Sequence, residues 1–165
     1  MGAVRHGDYI AKVRVIPTEQ TKNAITEKDI DLDSAEWPYR KGIIKEIAQK
    51  NLTFELQIQL CKDLKEMPVN DLTKEWAQEL SPFRTVAKIT IPKQTVPEDG
   101  NFEIMENLSF TPFRTIEENS PIGNLQRSRQ SAYVTSSTSR HELNHKKRKE
   151  PKNLEEAFSP EFYQL

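Results

Sequence analysis

Three stretches of the chain alternate apolar and polar residues with a period of two. Tyr9, Ala11, Val13 and Val15 fall on one side of the first, with Asp8, Lys12 and Arg14 opposite. In the second, Phe54, Leu56, Ile58 and Leu60 alternate with Glu55, Gln57, Gln59 and Cys61, the cleanest case of the three. The third places Thr85, Ala87, Ile89 and Ile91 against Val86, Lys88 and Thr90. Successive side chains of a strand point to opposite faces, so each pattern predicts a strand with one face in the core and one in water.

Helical spacing appears in two places. Ile43, Ile44, Ile47 and Ala48 repeat at about one turn, and Ser34 is positioned to cap a short helix before them. Gly123 to about His141 is the main predicted helix, although its run Val134–Ser139, VTSSTS, has poor intrinsic propensity and needs packing or a bound group for order. Glu98–Asp99–Gly100 is a turn signal, with Phe102–Phe110 as a further strand beyond it. Strands and helices of this kind predict an α+β fold.

The length of 165 residues suits one domain, and 35% hydrophobic against 30% charged residues allows a lean core. Ten prolines against five glycines imply many connections of restricted φ. A net charge of −1 supplies no global field toward nucleic acid or membrane. No apolar run is long enough for a membrane helix, and the first residues lack the apolar centre of a secretory signal. Cys61 is the only cysteine, which excludes an internal disulfide and suits a reducing, cytoplasmic setting with a structural thiol. From His145 the character changes: the basic run His145–Lys152 and the stretch to Leu165 read as a solvated helix end and tail.

The candidate chemistry lies in the main helix. Arg129 and Tyr133 stand four residues apart and Arg140 follows seven residues later, so a helix puts all three on one stripe. A guanidinium one turn before a phenol favours the phenolate, a hard anionic ligand suited to ferric iron. An arginine two turns further on can reach a carboxylate. On spacing alone, an Arg and a Tyr one turn apart also describe an ordinary surface helix pair.

The surroundings of that pair resemble a known family. Glu106–Phe110, Pro112, Pro121, Gly123, Arg127, Arg129, Tyr133, Arg140, His141 and Asn144 are similar to the proximal segment of the small catalase-like haem proteins. Arg5–Pro17 resembles a strand entering the second half of the catalase barrel, Trp37–Leu60 a short helix feeding a barrel strand, and Pro68–Trp76 the family's N-P-x-D-L-T-K-x-W run, followed by a strand with Val86–Ile91. The resemblance implies an antiparallel β-barrel portion with short helices and a C-terminal proximal-haem helix. It implies a partial haem domain over residues 1–144, with residues 145–165 outside it.

Carried over by residue, the resemblance makes Tyr133 the axial ligand of haem iron in haem b. Arg129 holds it as phenolate, and Arg140 lies near a propionate. His141 matches a basic position beside the haem edge rather than an iron ligand, and His6 and His145 have no partner at metal-ligand spacing. Asn70, Asp71, Thr73, Lys74 and Trp76 are expected to serve structure rather than touch haem. In the family the distal histidine and asparagine lie upstream of the strand matched here by Asp8–Pro17. The resemblance therefore implies no distal catalytic residue in this chain and a peroxide-handling function that needs a first half, supplied by another chain. The substrate would be hydrogen peroxide or an organic hydroperoxide. A homo-oligomer is the other expected assembly; nucleic acid and membrane are not expected partners. Two other readings stand beside this one: a stand-alone haem binder with weak peroxidase activity, and an inactive remnant or interaction module without haem.

Overall fold

The computed structural model describes residues 2–25, 37–96, 108–147, 151–153 and 155–156. The fold is α+β, with one five-stranded antiparallel sheet and three helices among the described residues. The strands are β1 (Ala3–His6), β2 (Tyr9–Pro17), β3 (Leu52–Leu60), β4 (Arg84–Ile91) and β5 (Pro121–Ile122). The helices are α1 (Glu19–Ala24), α2 (Pro38–Ile47) and α3 (Asn124–Leu143), with a single 3-10 turn at Glu117–Asn119. The spatial order is β4-β3-β2-β1-β5, so β4 and β5 are edges and the sheet is open rather than closed into a barrel.

Arg5–Pro17 is not one strand but a hairpin. His6 pairs with Tyr9 across Gly7 and Asp8, and Gly7 has φ 61° at the first central position. A two-residue hairpin loop needs a positive φ there, which glycine adopts without a Cβ penalty. Thr18 then starts α1, its hydroxyl oxygen accepting from the Thr21 N–H at 3.2 Å. The Thr21 hydroxyl in turn donates to the Thr53 carbonyl at 2.8 Å, tying the helix to β3. In α2, Trp37 occupies the N-cap and Pro38 the first turn, where a missing N–H costs nothing. Ser34, Glu98–Gly100 and residues 102–107 lie outside the described residues, and Leu108–Phe110 form no strand.

The predicted wet face of the sheet is covered as well. Register places Ala3 beside Lys12, Lys12 beside Gln59 and Arg14 beside Gln57, all on one side. The connection from Cys61 to Phe83 folds over that side. Met67 and Trp76 are buried there with Ala3, packed by Ile10, Cys61, Val69 and Ile122. Gln59 is 1% exposed because its amide donates to the Trp76 carbonyl at 2.9 Å and the Ser81 carbonyl at 2.8 Å. Lys12 Nζ lies 4.3 Å from the Trp76 ring centroid and the Arg14 guanidinium 3.7 Å from that of Phe83, so long aliphatic stems cover apolar surface while the charges sit on π faces.

The opposite side carries Val13, Val15, Phe54, Leu56, Ile58, Ala87 and Ile89. It is the more apolar face: Ala11, Leu52 and Ile58 are buried on it, while Val15 is 51% and Ile89 39% exposed. One further departure concerns β4. Leu56 pairs with Ala87 but Gln57 with Thr85, so Val86 is an extra residue in a bulge. The bulge turns Thr85 to the polar side, away from the side of Ala87 and Ile89; there its hydroxyl accepts from Gln57 Nε2 at 3.1 Å and donates to Glu55 Oε2 at 2.8 Å.

Candidate functional site

The helix predicted from Gly123 forms as α3, and its start is set by its neighbours. Gly123 is the N-cap with φ 90° and ψ 167°, a region that only glycine enters readily. A Cβ at this position would stand 2.6 Å from Val69 Cγ1. The cap itself offers no side chain, and the Asn124 N–H instead donates to Asn70 Oδ1 at 2.8 Å. The Pro68–Trp76 loop thus caps the helix. That loop is closed on itself, since Trp76 Nε1 donates to the Pro68 carbonyl at 2.9 Å and Asp71 Oδ1 accepts from the Thr73 N–H and hydroxyl at 3.0 and 2.6 Å. These contacts give Asn70, Asp71, Thr73 and Trp76 the structural work expected of them. Thr73 lowers the Asp71 carboxyl below its ordinary value, first through its hydroxyl and then through its N–H.

One stripe of α3 is covered. Gln126, Ser137 and His141 are buried, and Arg129, Tyr133 and Arg140 are half-buried between them. The stripe is polar, which is unusual for a helix face turned away from water. Its first members are tied together. Arg129 Nη2 donates to the phenol oxygen of Tyr133 at 2.9 Å, and Nη1 donates to Gln126 Oε1 at 2.9 Å. The guanidinium carbon lies 5.3 Å from the Tyr133 ring centroid. Arg129 and Tyr133 are therefore brought together as their spacing requires. Arg140 shares the stripe about 10 Å further along the axis at 1.5 Å per residue.

Gln126 was not among the residues singled out by sequence, though it precedes Arg129 by three positions on the same stripe. The other candidates separate from the pair. Cys61 Sγ donates to the Met67 carbonyl at 3.5 Å, and burial pushes its thiol up, as does the neighbouring Asp63 charge, in keeping with a structural thiol. Among the described residues, no cluster of three or more His, Cys, Asp or Glu side chains is arranged to hold a bare metal ion. Two cavities, of about 440 and 350 Å³, open beside α2. Neither of these two is lined by α3. Among the described residues, no helix is long and apolar enough to cross a membrane.

The chain matches no protein-family profile, and none of the curated proteins matches it.

Proposed function

We propose that this chain is the proximal half of a catalase-like haem protein, with Tyr133 as axial ligand of haem b. The observation that carries the reading is the 2.9 Å hydrogen bond from the Arg129 guanidinium to the Tyr133 phenol oxygen on a covered, polar helix stripe. The donor set fits the group. A phenol oxygen held by a fixed cation would serve as a hard oxygen ligand for ferric iron, and Arg140 on the same stripe would lie where a propionate could be met. When bound, the haem supplies the redox chemistry of peroxide. The protein's own residues hold the phenol, balance its charge and orient it.

In this reading the distal side of the haem is supplied by residues other than those of α3. Peroxide cleavage requires a base that takes one proton and returns it to the leaving oxygen, a role that Arg129, Tyr133 and Arg140 do not fill in this reading. The open sheet supports the same division. Its apolar face, with Val15 at 51% and Ile89 at 39% exposed, suits the inner wall of a barrel that further strands would complete. In this reading the substrate is hydrogen peroxide or an organic hydroperoxide, chosen by the residues on the distal side.

A second reading, favoured by that same apolar face, is an interaction module that has no haem. Electron paramagnetic resonance separates the two. The haem reading expects a single high-spin ferric signal from hemin-loaded chain that Tyr133→Phe disperses. An identical spectrum in both proteins, or none above free hemin, supports the interaction module.

A further inference from the structure

Gln126 is 3% exposed, the most deeply buried residue of α3. Its Nε2 donates to the Ala3 carbonyl at 3.2 Å, and its Oε1 accepts from Arg129 Nη1 at 2.9 Å. The two partners have fixed roles: a carbonyl only accepts and a guanidinium only donates. The orientation of the amide is thus decided by its neighbours, nitrogen toward β1 and oxygen toward Arg129. Ala3 itself is anchored, 1% exposed and paired with Lys12 on one side and Ile122 on the other. The chain of contacts runs Ala3 carbonyl, Gln126 amide, Arg129 guanidinium, Tyr133 phenol.

We propose that Gln126 is a positioning residue, whose amide couples strand β1 to the Arg129–Tyr133 pair and aims the guanidinium at the phenol oxygen. An arginine side chain has many rotamers, and one contact at its tip leaves most of them open. A second contact on the other terminal nitrogen fixes the plane of the fork. Gly2 completes the device. A Cβ there would come within 2.7 Å of both Gln126 Cδ and Nε2, so only glycine leaves room for the amide in this orientation.

The site can be perturbed from either side. Gln126→Met keeps length and removes both hydrogen bonds; Gly2→Ala leaves α3 unchanged in sequence and displaces the amide. Ser137→Ala, at another buried position of α3, is the control for a purely structural effect. The readout is the Raman tyrosine doublet of the full chain, taken as a difference against Tyr133→Phe, which isolates the hydrogen-bond state of this one phenol among four tyrosines. Both test variants are expected to lose the signature of a donor on the phenol oxygen, while Ser137→Ala retains it. Retention of the signature in folded Gln126→Met and Gly2→Ala, or equal loss in Ser137→Ala, overturns the proposal.

Only a second arm rests on the haem reading. There hemin affinity is expected to fall by up to about tenfold in Gln126→Met, the worth of roughly one lost hydrogen bond. A parent chain that binds no hemin overturns the haem reading, and the Raman arm still decides the role of Gln126.

Discussion

Asn70 Oδ1 accepts the backbone N–H of Asn124 at 2.8 Å across 54 residues of sequence. A loop that covers one face of the sheet thereby caps the helix carrying the candidate haem ligand. Helix N-termini leave unpaired N–H groups, and capping side chains are worth about 1 kcal/mol. Asn70→Ala is expected to lower unfolding free energy by about that amount. Asn70→Asp, which keeps the acceptor and adds a negative charge at the helix N-terminus, is expected to hold or exceed the parent value. Urea midpoints at constant slope measure both.

At the same junction, Gly123 combines φ 90° with a contact of 2.6 Å that a Cβ would make to Val69 Cγ1. Gly123→Ala is expected to cost about 1–3 kcal/mol through backbone strain and displacement of Val69. Thermal unfolding beside Gly7→Ala separates the two causes. Gly7 also has a positive φ, 61°, but a Cβ there meets open space, so its loss reflects backbone strain alone.

Gln59 holds two carbonyls of the covering loop, those of Trp76 and Ser81. Gln59→Leu fills the same volume and leaves both acceptors without this donor. The expected loss is about 1–3 kcal/mol, the usual cost of stranding a buried polar group. A Gln59→Leu chain as stable as the parent would show that the amide is not what holds the loop on the sheet.

The Phe54–Leu60 alternation gave away a strand, but not that its polar face is covered too. Gln59's partners lie 17 and 22 residues away, and local periodicity does not reveal them. The bulge at Val86 likewise depends on how two strands meet, and it moved Thr85 to the face opposite that of Ala87. The hairpin at Gly7–Asp8 and the Thr18 cap were missed, although a glycine at a hairpin turn and a threonine before a helix are local signals. Helix α3 runs from Asn124 to Leu143 despite its weak VTSSTS run, close to the extent expected from Gly123 to His141. The pairing of Arg129 with Tyr133 followed from spacing alone. Gln126 did not, because its value comes from the Ala3 carbonyl, 123 residues earlier.

Acid stability has a named source. Glu55 accepts from Thr85 Oγ1 at 2.8 Å and from Gln57 Nε2 at 2.7 Å, and these bonds hold its carboxyl below the ordinary value of 4.5. A carboxyl depressed in the folded state is protonated more readily in the unfolded chain. Its contribution is therefore complete above 4.5 and is lost as pH falls through the lower, folded-state value. Glu55→Gln is expected to flatten the acid limb of stability against pH and leave the slope near neutrality unchanged. Chemical denaturation at stepped pH measures this.

The central claim is tested most directly by titrating the purified chain with hemin and following the Soret absorption, beside Tyr133→Phe. A tyrosinate haem site predicts a saturable shift at one hemin per chain, abolished by Tyr133→Phe and weakened by Arg129→Ala. Absence of saturation in the parent, or a shift equal in parent and Tyr133→Phe, would contradict it.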